Sequence, residues 1–271
     1  MPKQVDIEIF PVAMTTIKLD ALFDWFRHLD VDPKIVPRSE MVSDPELLIG
    51  YAAKRCYMSF EPGLNPNVTR VRENWNDYFN NLLASGHGSV FEHATYSFAI
   101  EGCTRVFTAE MNRHRAGCAI SEGSLRYIRF DEIPYWLPES IRINEADPVS
   151  FAEKKLATQD VMHEVFEFCE KKYKELCKLW DIDDGNFGRK KALTSMFRRI
   201  IPMGVSTGGI WTLNVRALRH VIAMRSSQHA EEEIAHIITR IATMIMRSLP
   251  LALGDFKEDE HGFMVPEFKK I

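Results

Sequence analysis

The stretch Ala94-Thr-Tyr-Ser-Phe-Ala-Ile-Glu-Gly-Cys-Thr-Arg-Val-Phe-Thr-Ala-Glu-Met-Asn-Arg-His-Arg115 changes its period part-way along. Tyr96, Phe98 and Ile100 alternate with Thr95, Ser97 and Ala99, which predicts a half-buried strand. From Cys103 onward, Cys103, Val106, Phe107, Met111 and His114 fit one helical face. Arg113, His114 and Arg115 then stand at a helix C-terminus, where cations suit the helix dipole and can reach a ligand.

Working outward, helices dominate. Asp44-Pro45 is an N-cap and N1 pair opening a helix through Leu47, Leu48, Tyr51, Ala52 and Cys56. Val71, Trp75, Tyr78, Phe79, Leu82 and Leu83 recur at helical spacing, and Gly86 ends that helix. Ile128 to Trp136 reads as a strand and turn. Asp147-Pro148 starts a long amphipathic helix carrying Phe151, Leu156, Val165, Cys169, Tyr173, Leu176 and Trp180. A helix from about Lys190 to before Pro202 carries Arg198. Gly204 to Gly209 reads as a small-residue loop, and Trp211 to Arg225 as a helix with Asn214 and Arg225 on one stripe and Arg216 and His220 on another. The last helix, from Ala230 to about Leu249, turns Ile234, Ile237, Ile238, Ile241, Met244 and Ile245 inward. The strands are few and do not interleave as βαβ units, so the fold class is α+β. Residues 1 to 45, with Pro33, Pro37 and Pro45, form an N-terminal extension ahead of one domain over 46 to 271.

The 271 residues are 45% hydrophobic and 27% charged, as in a soluble globular protein. A net charge of -4 gives no basic field for nucleic acid, so the Arg113 cluster is local. Five cysteines without a CxxC point to reduced thiols and a cytoplasmic setting. No run of about 18 apolar residues is present to span a membrane.

Arg113, Arg115, Arg126, Arg198, Arg216 and Arg225 lie beside small or polar residues at helix ends or on helix faces. Fixed guanidinium forks in that number suit a ligand with several phosphates, such as a dinucleotide or a pair of nucleotides. Neither Gly-x-Gly-x-x-Gly nor a Walker A sequence occurs. His87, Glu92 and His93 have the wrong spacing for a zinc motif, so no metal is expected. Cys118 has no evident base, and Ser124 lacks a nucleophile elbow.

Together, His87-Gly-Ser-Val-Phe-Glu-His93, Arg113-His-Arg115, Ser124-Leu-Arg-Tyr127, Arg198 with Pro202, and Trp211-Thr-Leu-Asn-Val-Arg216 with Arg225 resemble the flavin-dependent thymidylate synthases from about Ala52 to Phe256. The resemblance implies a central, mostly antiparallel sheet flanked by helices, and a homotetramer with shared active sites. It implies FAD reduced by NADPH, methylene-tetrahydrofolate as carbon donor, and dUMP methylated at C5; UMP, or a homologue that binds flavin without turnover, are the alternatives. By resemblance, Ser89, Arg113, His114, Arg115, Glu122, Asn214, Arg216 and His220 contact FAD. Glu110, Glu122, Ser124, Leu125, Arg126, Arg198 and Arg225 contact dUMP, with Arg225 the catalytic residue. His87 and Tyr127 stand where folate or NADPH enters. Two departures fall on the nucleotide side. Ala116 to Gly123 holds eight residues where the family has seven, and Glu110 replaces a usual glutamine.

Overall fold

The computed structural model describes residues 2–35 and 42–271; Pro37 of the N-terminal extension lies outside them. Strands β1 (Lys3–Gln4) and β2 (Glu8–Met14) precede helices α1 (Leu19–His28), α2 (Asp44–Tyr57) and α3 (Trp75–Ser85). A 3-10 turn over Gly88–Glu92 leads into β3 (Thr95–Thr104), α4 (Arg105–Met111) and β4 (Cys118–Glu122). Then come β5 (Pro134–Tyr135), α5 (Val149–Leu179), α6 (Phe187–Phe197) and β6 (Ser206–Asn214). The chain continues through α7 (Val215–Arg225), α8 (Glu232–Ile245), β7 (Phe256–Glu258) and β8 (Met264–Pro266).

The central sheet has the order β2-β3-β6-β4. Thr15 N donates to Thr95 O while Gly102 abuts Asp6, so β2 and β3 run in opposite directions. Ser97 bonds Thr212 while Arg105 N donates to Val205 O, which makes β3 and β6 antiparallel. Asn214 N donates to Gly117 O, and Gly123 N to Gly208 O, so β6 and β4 are antiparallel too. The α+β class with an antiparallel central sheet is therefore what the chain adopts. β1 and β5 form a separate parallel pair, β7 and β8 an antiparallel one.

Contacts divide the chain into two compact units. The first holds Met1–Phe10, Ala99–Arg113 and Ile120–Trp211; the second holds Pro11–Phe98, His114–Ala119 and Thr212–Ile271. In the first, Phe166, Glu170, Tyr173 and Cys177 form the buried stripe of α5, packing with Ile133, Tyr135, Leu193, Phe197 and Val205. Tyr135 stacks on Phe166 with centroids 4.5 Å apart. In the second, Leu22 and Phe26 of α1 pack with Leu47, Tyr51 and Phe60. The buried isoleucines of α8 and Leu218, Val221 and Ile222 of α7 supply further core.

Several expectations shift. Ser43, not Asp44, caps α2, in a capping box with Glu46, while Asp44 accepts from Ile17 N. Cys103 belongs to β3, since Thr104 caps α4 by accepting from Val106 N. The segment 204–209 is not a loop but holds the start of β6, Trp211 to Asn214 continues β6 before α7 begins, and 116–123 contains β4. Gly209 serves a close approach, because a Cβ there would stand 2.3 Å from Ser121 O. Only Pro134–Tyr135 of the stretch 128–136 is strand. Phe151, Leu156 and Val165 of α5, Trp180 just past its end, and Met244 of α8 are exposed; the buried face of α5 lies on the other stripe. Within residues 1 to 45, β2 is a strand of the central sheet and α1 joins a core cluster.

Candidate functional site

The β6–α7 junction builds the site in the second unit. Asn214 caps α7 by accepting from Ala217 N at 2.8 Å, and its own N–H donates to Gly117 O at 2.9 Å. Gly117 has φ 70°, and a Cβ there would fall 2.5 Å from Asn214 Nδ2, so only glycine lets this strand end meet the cap. One turn of α7 separates Arg216 from His220, which puts both on one face. Arg216 Nη1 pairs with Glu92 Oε1 at 2.5 Å, and the missing Cβ of Gly88 would be 3.0 Å from Arg216 Nε. Glu92, Ala116, Gly117, Asn214, Arg216, Ala217 and His220 share a cavity of about 490 Å3.

Two further expected residues meet in this unit. Arg225 Nε donates to His114 Nε2 at 2.8 Å. Arginine offers no lone pair, so that imidazole nitrogen accepts and carries no proton. The His114 ring also lies edge-on to His220, with centroids 5.9 Å apart. His87 packs edge-on against Tyr57 at 5.5 Å.

In the first unit the expected residues gather along the irregular chain after β4. Arg105 Nη1 pairs with Glu122 Oε1 at 2.9 Å, and its Nη2 donates to Gly123 O. Arg105 Nε, Glu122 Oε2 and Thr207 Oγ1 are buried without hydrogen-bond partners. A cavity of about 580 Å3 is lined here by Glu101, Arg105, Gly123, Leu125 and Thr207 among others. Ser124 O accepts from Tyr127 N and Ile128 N, making a turn, and Thr194 Oγ1 donates to Arg126 O at 2.6 Å. Tyr127 stacks on Phe187 at 6.0 Å. Hydrogen bonding to Lys191, whose Nζ lies 4.7 Å from the ring centroid, holds the Tyr127 phenol below its ordinary range. Glu110 pairs with Arg113 at 3.3 Å. Ser89, Arg115, Arg126 and Arg198 are exposed and line neither cavity. Burial pushes the Cys118 thiol up, away from nucleophile behaviour.

A donor set of one guanidinium fork, an amide and an imidazole around a glycine-lined cavity suits the phosphates and polar chain of a dinucleotide. A model of the family described as thymidylate synthase complementing protein matches residues 39–251. A flavin-dependent thymidylate synthase from Mycobacteroides abscessus is 30% identical over 256 residues, covering 94% of this chain and 92% of that protein. The chain belongs to the flavin-dependent thymidylate synthase family.

The match to that relative leaves out too few residues to exclude the first 45, so it reaches into the N-terminal extension. Among solved structures, the fold resembles that of a UMP/dUMP methylase, PolB, from Streptomyces cacaoi, bound with 5-Br UMP. The TM-score is 0.63 at 17% identity, over 93% of this chain and 94% of that one. It also resembles thymidylate synthase X from Helicobacter pylori, with FAD and dUMP, at TM-score 0.54 and 17% identity, over 91% and 97% of the two chains. Within the family pattern, both departures have a local setting here. Glu110 is paired to Arg113, and five of the eight residues 116–123, Cys118–Glu122, are drawn out as β4. Arg105 escaped the sequence reading, and Glu92 was weighed there only as a metal ligand. The signal for Arg105 was its place in the first turn of α4, where a cation opposes the helix dipole and requires a carboxylate partner. Among the described residues no helix is long and apolar enough to cross a membrane, and no three His, Cys, Asp or Glu side chains gather into a metal-holding group.

Proposed function

We propose that this chain is a flavin-dependent thymidylate synthase carrying out reductive C5 methylation of dUMP to dTMP, with FAD held in the cavity beside α7. One observation carries the reading. Ala116 and Gly117, directly after Arg-His-Arg, line the same cavity as Asn214, Arg216 and His220, about a hundred residues on. Bound there, NADPH-reduced FAD supplies the hydride while methylene-tetrahydrofolate supplies the carbon.

The protein's own groups then have separable tasks. Arg216 offers a bidentate fork to phosphate, and Asn214 is fixed by its capping bond. The His114 bond fixes the plane of the Arg225 guanidinium. A fixed cation at the uracil edge favours the N3-ionised pyrimidine, from which C5 attacks. The Arg113 partner of Glu110 offsets the repulsion a carboxylate would exert on the nucleotide phosphate. In this reading Ser89, Arg113, Arg115 and Glu122 complete the flavin contacts, and Glu122, Ser124, Leu125, Arg126 and Arg198 the nucleotide contacts. His87 and Tyr127 border the entry of folate or NADPH. A cytosolic homotetramer with shared sites completes the reading. The exposed Val161, Val165 and Phe168 on one stripe of α5 support it, since such stripes mark association surfaces.

Purified protein should be yellow, with a visible flavin spectrum bleached by NADPH, and should methylate dUMP in a folate-dependent assay. A colourless protein with no flavin uptake would remove the reading. Turnover of UMP alone would replace dUMP as substrate. Bleaching without methylated product would make the chain a non-catalytic flavin binder.

A further inference from the structure

The cavity beside α7 has a wall that the family resemblance did not reach. Besides Glu92, Gly117, Asn214, Arg216 and His220, it is lined by Lys269 and Lys270. Exposed lysines are ordinarily a solvated face. These two differ because the backbone just before them is fastened by a buried ion pair.

Arg219 of α7 is fully buried between Leu218 and His220. Its two terminal nitrogens pair with Asp255 at 2.6 and 2.9 Å, and it also donates to Ala252 O. The guanidinium lies against the rings of Phe91 and Phe256, 6.0 and 4.9 Å from their centroids. The same pair holds the segment that follows β8. Asp255 Oδ2 accepts from Phe268 N at 3.1 Å, Asp255 O accepts from Glu267 N at 3.0 Å, and Arg219 Nη2 donates to Phe268 O at 3.4 Å. A buried ion pair is weak support for stability but can specify an arrangement. Here it ties residues 267 and 268 to the helix that presents Arg216 and His220. Lys269 and Lys270 come next in the chain. The Lys270 stem also lies over Gly86, whose missing Cβ would be 3.7 Å from Lys270 Cβ.

The charge count explains what such a wall is for. Arg216 is already matched by Glu92 at 2.5 Å, so that pair brings no net charge to a dianionic diphosphate. We infer that Lys269 and Lys270 bind the diphosphate of the flavin dinucleotide, with the Arg219–Asp255 pair as the positioning device that sets them at the cavity. This inference rests on the reading of the cavity as the flavin site.

The test titrates the full chain, freed of flavin, with FAD and with riboflavin, which has the same ring system and no phosphate. Lys269→Ala/Lys270→Ala should weaken FAD binding by roughly tenfold to a hundredfold at low salt, as expected for charge-assisted contacts. Riboflavin affinity should be unchanged, and the difference should shrink in high salt. Lys269→Arg/Lys270→Arg should restore FAD affinity. An alanine variant with parental FAD affinity, while Arg216→Ala loses FAD, would overturn the role of the lysines and leave the flavin site standing. Parental affinity in both variants would remove the flavin site itself. Equal losses for FAD and riboflavin would overturn the diphosphate contact and make the segment a general structural wall.

Discussion

Each unit carries an arginine–glutamate pair at the edge of its cavity, and the two pairs are built differently. Arg216 and Glu92 have side chains 44% and 49% exposed, with water available to replace either partner. Arg105 and Glu122 are 13% and 28% exposed, and each retains a buried polar atom that the other does not satisfy. An exposed pair adds little to stability and exchanges its partner for a ligand at small cost. A pair withdrawn from water is costly to break, because the survivor stays desolvated. The first arrangement suits a group that must turn toward an incoming phosphate. The second suits one that holds the chain after β4 in shape.

The largest effect expected is at the end of α7. Arg225→Ala should lower kcat on the order of a hundredfold to a thousandfold, the usual cost of removing a transition-state donor, with flavin retained. Near-parental kcat would take Arg225 out of the chemistry. Next, Arg216→Ala should raise the Kd for FAD by roughly tenfold to a hundredfold while shifting the melting temperature little. Glu92→Gln should tighten FAD, because it removes the competitor for Arg216. A large melting shift in Arg216→Ala would erase the contrast between the two pairs. Arg105→Ala should do the reverse, costing about 1–3 kcal/mol of folding stability by stranding Glu122. Denaturant titration reads this, and an unchanged midpoint would show that the pair is exchangeable after all.

The smallest effect concerns pH. Lys155 hydrogen bonds, aided by Asn144 N–H, hold the Asp147 carboxyl below its ordinary value. A depressed folded-state value gives stability that is present above the unfolded carboxyl range and lost as pH falls through the depressed value. Asp147→Asn should therefore melt below the parent at neutral pH, with the gap closing below about pH 4. A gap that does not change with pH would assign the loss to something other than the ion pair.

What the sequence made legible follows the strength of its periodicity. α3, α8 and the strand through Phe98 announce themselves because one face of each is apolar and the other is not. α5 misleads because apolar residues lie on two stripes: Phe166, Tyr173 and Cys177 with Glu170 are buried, Met162, Cys169 and Leu176 pack part-buried beside them, and the other stripe is exposed. β4 and β6 were missed because Gly-Cys-Ala and Thr-Gly-Gly carry turn chemistry. Their glycines in fact answer cross-strand crowding, which no local pattern encodes. In the site, Asn214, Arg216 and His220 were readable as a motif and meet in one cavity. Arg105 left only the faint signal of a cation opening a helix, and Lys269 and Lys270 left none, since their placement depends on Arg219, distant in the chain.

The glycines of β6 set a limit on what laboratory evolution could do with this protein. At position 209 any side chain would collide with the main-chain oxygen of Ser121, which has nowhere to swing. At 208 the obstacle is the Glu101 carboxylate, at the end of a flexible arm. A randomised library should thus return almost only the parental codon at 209 and a broader harvest, led by alanine and serine, at 208.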